Sequence, residues 1–332
     1  MHGTVLLAAG LGQFEPLAER LRAHGCDVQT FSGREQLAAL IREADVVVGS
    51  PAQKFQVDGT ILSTGTRLRA VNSMVIGTEI IDVDACTELG ILVANGAIAE
   101  NFLGVAESTV MLILALTLDL KAKERTLREG TSFRPSSTRS ALLNGRTIGL
   151  IGLGRVGRAV AERLQGWNVR LLGYDPYVDG APLAVELVQL DELLRSSDIV
   201  SIHVALNNSS RGLLGARELA LMPPHAYLLN TARGNVVDEP ALAEALNSGR
   251  LAGAAVDAWT EEPTPRDNPL LSVDPDKIIV TGHCIAHSAR LPSLLVDAAE
   301  ENVLRELRGE VPRFVVNPAV LTTWNARVAA LA

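Results

Sequence analysis

Proton transfer, anion binding and phosphate binding each call for particular side chains at particular places. Imidazole titrates near neutral pH, so a histidine at the end of a strand is suited to passing a proton. Three histidines, His203, His283 and His287, stand near predicted strand tips, and residue type alone does not rank them. Arg233 and Asp257 also follow predicted strands directly. In an open parallel sheet, ligands bind beyond the carboxyl ends of the strands. Arg233, Asp257 and His283 therefore occupy functional rather than packing positions.

Gly152, Gly154 and Gly157 form a G-x-G-x-x-G pattern between a short apolar strand and a helix. Gly152 permits the tight turn, Gly154 lets main chain approach a pyrophosphate, and Gly157 lets the helix sit close to the sheet. The anion then rests on unpaired N–H groups at the helix start. The next strand ends at Asp175, eighteen residues after Gly157. A carboxylate there accepts hydrogen bonds from an adenosine ribose and repels a 2'-phosphate. Strand, glycines, helix, strand and acid in this order imply a site for NAD, with NADH preferred over NADPH. A nicotinamide exchanges hydride, so the protein must supply the proton donor and orient the substrate.

The elements that position these residues follow from the apolar pattern. A length of 332 residues predicts two domains. Short strands at 5–9, 27–31, 46–48, 68–73 and 91–94, with helices at 14–24, 35–43 and 83–89, predict a small parallel α/β domain. It lacks a glycine fingerprint, so its expected task is to hold the substrate. Residues 101–129 read as one long helix connecting the domains, with a possible second use at a subunit contact, and 131–140 as a loop. Strands at 147–151, 169–173, 198–204, 227–229, 254–256 and 278–280, with helices at 158–165, 190–195, 218–222 and 239–247, predict a second parallel sheet. A helix at 294–307 and a strand-like tail at 314–317 are expected to return to the first domain. The predicted fold class is α/β, with two Rossmann-like or flavodoxin-like parallel-sheet domains and an active-site cleft between them. Residues 1–100 plus about 288–332 form the substrate domain, and about 101–287 the NAD domain.

Composition narrows the partners. The chain is 47% hydrophobic and 20% charged, with net charge −8 and no basic block, which argues against nucleic acid as a partner. Cys26, Cys86 and Cys284 stand at no metal-ligand spacing, so neither a metal site nor a disulfide scaffold is expected. The start of the chain runs into a β-like segment without a charged leader, which places the expectation in the cytoplasm. The apolar run 110–118 is too short to span a bilayer and reads as a buried helix segment, so no membrane is expected.

From residue 68 onward the chain resembles the D-isomer-specific 2-hydroxyacid dehydrogenases. The matching strings are Gly-Leu-Ile-Gly-Leu-Gly-Arg-Val-Gly at 149–157, Tyr-Asp-Pro at 174–176, Asp-Ile-Val-Ser-Ile-His-Val at 198–204 and Leu-Asn-Thr-Ala-Arg-Gly-Asn-Val-Val-Asp-Glu at 229–239. Leu-Ala-Gly-Ala-Ala-Val-Asp-Ala-Trp at 251–259, Glu262-Pro263, and Thr281 with His283 complete the set. The first domain matches more loosely, through Gly77, Ile81-Asp82, Asn95 and Ala106-Glu107.

The resemblance implies NAD(H)-dependent, reversible reduction of a 2-oxoacid to a D-2-hydroxyacid by a homodimer. Some proteins of this family instead bind NAD(H) mainly to regulate protein partners. By resemblance, Arg233 grips the substrate carboxylate and its 2-oxygen, His283 is the acid/base, and Glu262 is its partner. A carboxylate beside imidazole favours the charged ring and fixes its orientation. Gly152, Gly154, Arg155, Val156, Gly157, Asp175, Pro176, His203, Val204, Ala205, Thr231, Ala232, Asp257 and His283 are the implied cofactor contacts. Val75, Ile76 and Gly77 form the implied substrate loop, with Arg233 and His283. Here the chain departs from the family pattern: Val75 replaces a glycine, Glu79 replaces an Asp, and Gly96-Ala97-Ile98-Ala99 replaces Pro-Gly after Asn95. Ala205 and Gly282 stand where proline is usual. The core chemistry is expected to be intact and the substrate pocket divergent.

Overall fold

The computed structural model describes residues 3–10, 12, 14–50, 55–130, 140–180 and 184–331. The chain divides into two compact units, Met1–Asn101 with Ser288–Ala332, and Phe102–His287. The first begins with β1 (Thr4–Ala8), α1 (Phe14–Ala23), β2 (Asp27–Phe31), α2 (Arg34–Leu40), β3 (Val46–Gly49), α3 (Gly59–Leu62), β4 (Ala70–Ser73), α4 (Val83–Glu88) and β5 (Leu92–Ala94). The five strands form a parallel sheet in the order β2-β1-β3-β4-β5. Leu6, Leu7, Val46, Val47 and Val48 are all fully buried, with no in-out alternation, because helices cover both faces.

The next elements are α5 (Ala99–Thr117) and α6 (Leu120–Arg128). One helix was expected over 101–129, but Asp119 adopts a left-handed conformation (φ +55°) and splits it. Aspartate visits that region more readily than most residues, and without Gly or Pro the break leaves no local signal. The run 110–118 is only partly buried: Leu112, Ile113 and Leu116 are covered, whereas Met111 and Leu118 are exposed. At 19 residues and a mean hydropathy of 1.4, α5 is long and apolar enough to cross a membrane by length and composition alone, and 28% of that window is buried. The expected loop at 131–140 lies, but for Ser140, outside the described residues.

The second sheet follows with β6 (Thr147–Ile151), α7 (Arg155–Arg163), β7 (Arg170–Tyr174), β8 (Val185–Leu187), α8 (Leu190–Ser196), β9 (Ile199–Ile202), α9 (Ala216–Leu221), β10 (Tyr227–Asn230), α10 (Glu239–Asn247), β11 (Gly253–Val256) and β12 (Ile278–Val280). Its seven parallel strands run β12-β11-β10-β9-β6-β7-β8. β6 lies between β7 and β9, where the strand order reverses, and its tip carries the glycine turn. The edge strand β8 was not anticipated: only Val185 of its three residues is buried, too little to show a pattern.

The chain then returns to the first unit through α11 (Leu291–Leu307) and α12 (Leu321–Leu331). Val296, Ala299, Val303, Leu307 and Trp324 complete its core. The strand expected at 314–317 is not formed. Val315 makes a single bridge to Ala94, and the Asn317 side chain then takes over, accepting from Val93 N–H (2.8 Å) and donating to the Ile91 carbonyl (3.1 Å).

One buried carboxyl in this unit is costly when charged. Glu306 of α11 is fully buried, and Asn72 Nδ2 of β4 donates to its Oε2 (2.8 Å). Among the described residues, Glu306 Oε1 and Asn72 Oδ1 are both buried acceptors without donors, a setting that disfavours a charged carboxyl. Burial pushes the Glu306 carboxyl up to about 8, although the Asn72 bond pulls the other way. The unfolded chain releases this proton near the ordinary value of 4.5, whereas the folded chain keeps it to about 8. Stability therefore falls as pH rises through that window, and the loss is complete above it. Glu306→Gln is expected to unfold like the parent near about pH 5 and to be about 1–3 kcal/mol more stable near about pH 8.5. Thermal melts at both pH values check this, and an equal difference at both would contradict the account.

Candidate active site and nucleotide cradle

The glycine turn has the shape an anion requires. Gly152 lies at φ +96°, and a Cβ there would come within 2.8 Å of the His203 carbonyl carbon and 2.9 Å of Val204 N. A Cβ at Gly157 would lie 2.0 Å from the Gly152 oxygen, so neither position admits a side chain. Gly154 differs: a Cβ there would meet no atom within 4 Å, so it faces open space. Gly154 caps α7 without a side-chain bond, which leaves the next N–H groups of the helix, at Val156 and Gly157, open to that space among the described residues. The cradle fits a dinucleotide pyrophosphate.

Leu153, between the two glycines, is pinned on both sides. Its N–H donates to Asp175 Oδ2 (2.8 Å) and its carbonyl accepts from Arg158 Nε (2.8 Å). Asp175 Oδ1 accepts from Tyr177 N–H (3.0 Å). The carboxylate at the tip of β7, expected to meet a ribose, thus braces the turn, and the exposed Pro176 follows it. Spacing alone did not show this bracing role.

His203 is a different kind of residue from His283. Its ring nitrogens are buried, and burial drives it down to about 3, so it is neutral. Neither ring nitrogen has a partner among the described residues. His203 is therefore not an acid/base candidate, and its contribution to the cradle, with Val204, is main chain against the glycine turn; exposed Ala205 follows them. His287 is exposed, and its N–H donates to the Cys284 carbonyl.

Arg233 follows β10 in a turn held by buried Asn230, whose Oδ1 accepts from Ala232 N–H (3.2 Å) and whose Nδ2 donates to the Arg233 carbonyl (3.0 Å). Thr231 Oγ1 meets Thr109 Oγ1 of α5 at 3.4 Å. Next in sequence, Gly234 receives the backbone of Trp259 and Thr260: a Cβ would fall 1.8 Å from the Trp259 carbonyl carbon. This approach brings the loop bearing Glu262 beside Arg233. Buried Glu239 secures the loop, accepting from Thr260 N–H (2.6 Å) and Asn268 Nδ2 (2.6 Å).

Glu262 Oε1 accepts from Trp259 N–H (3.1 Å) and meets His283 Nδ1 at 2.8 Å. Burial would raise the Glu262 carboxyl; the bonds from His283 and Trp259 and the charges of His283 and Arg233 outweigh it and hold Glu262 below its usual range. An ionised carboxylate only accepts, so Nδ1 of His283 carries the proton, and among the described residues Nε2 has no partner.

His283 itself adopts a left-handed backbone conformation (φ +55°). Asp257 enforces it. The Asp257 carbonyl accepts from His283 N–H (2.7 Å), and its Oδ1 accepts from Thr281 Oγ1 (2.6 Å), Cys284 N–H (3.0 Å) and Ile285 N–H (3.2 Å). Among the described residues, Oδ2 has no donor, which leaves it for a cofactor contact. Arg233, Glu262, His283 and Asp257 thus lie within one unit with the glycine cradle.

The substrate loop belongs to the first unit. Its carbonyls are all occupied: Val75 O accepts from Gly96 N–H (3.0 Å), Ile76 O from Asn95 Nδ2 (2.8 Å) and Gly77 O from Ser73 Oγ (2.5 Å). Among the described residues, nothing accepts from the N–H groups of Val75, Ile76 or Gly77. Three such donors in succession suit an anion. Ser73 was not singled out beforehand, and Asn95, Asn230 and Glu239 entered only as part of the family match with no role, because each acts by holding main chain, which no spacing reports.

A glycine cradle at the strand-order reversal of a parallel sheet, with a histidine–carboxylate pair and an arginine beyond the same strand tips, defines a dinucleotide-binding α/β protein. Residues 110–284 match the family described as D-isomer specific 2-hydroxyacid dehydrogenase, NAD binding domain. The chain is 35% identical over 295 residues to D-3-phosphoglycerate dehydrogenase of Methanocaldococcus jannaschii, a match covering 88% of this chain and 55% of that protein. It is 35% identical over 297 residues to glyoxylate reductase of Thermofilum pendens, covering 87% and 86%. D-Lactate dehydrogenase from Aquifex aeolicus, solved with NAD and lactic acid, superposes with a TM-score of 0.83 at 26% identity, covering 94% of this chain and 99% of that one. The chain spans about half the length of the phosphoglycerate dehydrogenases it matches. It belongs to the D-isomer-specific 2-hydroxyacid dehydrogenase family, and its second unit is the NAD-binding domain.

The approach at Gly234 gives a test of the geometry. Gly234→Ala is expected to displace residues 259–262 and to lower kcat by about 10²-fold, while NADH binding stays within about threefold. Steady-state kinetics and fluorescence titration check both, and unchanged kcat would show that the approach does not position Glu262.

Proposed function

We propose that this protein is an NAD(H)-dependent dehydrogenase that interconverts a 2-oxoacid and a D-2-hydroxyacid. The observation that carries the reading is the His283–Glu262 pair at 2.8 Å, with Nε2 left free and Arg233 close enough to act on the Glu262 charge. When bound, the nicotinamide supplies hydride to the substrate C2 or accepts it. The remaining tasks fall to the chain. The planar Arg233 guanidinium binds carboxylate and 2-oxygen together and stabilises the negative charge that grows on that oxygen. His283 Nε2 gives that oxygen a proton in reduction and takes it back in oxidation. Glu262 retains the Nδ1 proton and balances the ring when it is cationic. The N–H groups of Val75, Ile76 and Gly77 suit the acid group of the substrate, and the Val75 side chain narrows the space beside them.

NADH is the preferred coenzyme in this reading, because Asp175 puts negative charge where a 2'-phosphate would lie. We infer a homodimer from the exposed apolar side chains Met111, Leu118, Leu120 and Leu127 along α5 and α6. The free cysteines Cys26, Cys86 and Cys284 support a cytoplasmic setting.

The direct test follows NADH absorbance against 2-oxoacids of increasing size, including those named by the reductase and phosphoglycerate relatives, with NADPH in parallel. Turnover with NADH and much weaker use of NADPH are expected. Tight NADH binding with no turnover across the panel would favour a regulatory role instead. His283→Gln is expected to lower kcat by about 10²–10⁴-fold, and Glu262→Gln by about 10–100-fold, with NADH affinity retained in both. Full activity in His283→Gln would overturn the assignment.

A further inference from the structure

His283 stands in the left-handed region, so its place depends on how the chain is gripped on either side of it. The carbonyls of Thr281 and Ile285 flank it, one before and one after, and each is taken by a side chain from another part of the unit. The indole Nε1–H of Trp259 donates to the Thr281 carbonyl (2.7 Å). The Ser108 hydroxyl of α5 donates to the Ile285 carbonyl (2.9 Å). Among the described residues, neither carbonyl has another donor.

Trp259 also reaches the other member of the pair. Its main-chain N–H donates to Glu262 Oε1 (3.1 Å), the oxygen that meets His283 Nδ1 (2.8 Å). One residue therefore holds the carboxylate by its backbone and the segment bearing the imidazole by its side chain. The indole suits this task because it is rigid, has a single donor and is buried in the core of the second sheet. Phenylalanine would fill much of the same space and bring no donor.

The grip from α5 departs from helical habit. A hydroxyl within a helix commonly returns its proton to the carbonyl four residues back. Thr109, Thr117 and Thr126 all do so, each at 2.8 Å. Ser108 instead spends its proton on the segment after His283. A close approach permits this: a Cβ at Gly104, one turn earlier, would lie 3.0 Å from the Ala286 oxygen, so glycine there lets the helix lie against residues 285 and 286.

We propose that Trp259 and Ser108 are positioning residues that fix His283 against Glu262, and that proton transfer at Nε2 depends on both. This rests on the dehydrogenase reading above. It gives neither side chain a part in binding NADH or the acid group of the substrate.

The test uses the full chain, steady-state kinetics with NADH and a turned-over 2-oxoacid, and nitrogen-15-edited NMR of the imidazole protons. Trp259→Phe is expected to lower kcat by about 5–30-fold and Ser108→Ala by about 3–10-fold, with KM and NADH affinity within about twofold. Ser108→Thr keeps the hydroxyl and is expected to stay within about twofold of the parent. In a Glu262→Gln background, Trp259→Phe is expected to cost less than about twofold more, because the pair it aligns is already broken. The His283 Nδ1 proton, assigned by its loss in His283→Gln, is expected to broaden or vanish in Trp259→Phe and Ser108→Ala. Thermal melts establish that each variant is folded, and Ser108→Ala decides alone if Trp259→Phe is not. Parent-like kcat in both variants overturns the proposal, as does an equal loss in NADH affinity, a full multiplicative loss in the Glu262→Gln background, or an unchanged Nδ1 resonance. A parent chain that binds NADH and turns over no 2-oxoacid would sink the dehydrogenase reading instead, and the Nδ1 resonance would then test the positioning by itself.

Discussion

Asp257 Oδ1 collects three hydrogen bonds at the end of β11, and the placement of His283 depends on it. Thr281 Oγ1, Cys284 N–H and Ile285 N–H converge on this oxygen, and His283 N–H goes to the Asp257 carbonyl. Together they hold His283 in a left-handed conformation that few non-glycine residues adopt. From that position Nδ1 reaches Glu262, whose own loop is anchored by Glu239 and by the backbone contact at Gly234. His283, the Glu262 loop and the Arg233 turn are each held by a carboxylate or amide of another residue. Proton transfer would require such fixing, because small displacements of donor and acceptor cost large factors in rate.

The cofactor end is built by the same means. Asp175 links the glycine turn, the tip of β7 and, through Tyr177, the loop after β9. One carboxylate thus braces the turn and fixes the chain that follows β7.

In the first unit, the carbonyls of residues 75–77 are taken by Ser73, Asn95 and Gly96, and among the described residues nothing accepts from their three N–H groups. Replacing the usual glycine with Val75 changes the side chain beside these donors without taking the donors away. The loop can therefore diverge in sequence while its anion-binding character persists. The C-terminal return, through α11 and α12, closes the core of the same unit and supplies the neutral Glu306 beneath β4.

The glycine spacing, the apolar strands and the acid at the tip of β7 were legible because each reflects a constraint local to a few residues. A backbone that must approach phosphate excludes Cβ, and a strand covered on both faces is apolar throughout. Helix α10 and strand β12 fall where the pattern places them for that reason. The resemblance, not residue type, singled out His283 and Glu262. Only the tertiary structure separated His203 from His283, since one ring has both nitrogens buried without a partner among the described residues and the other meets a carboxylate contributed from 21 residues away. It also decided the break at Asp119, the anchoring by Glu239 and Asn230, and the second role of Asp175. These depend on contacts between segments distant in sequence, and the periodicity of a chain carries no record of which distant groups will meet.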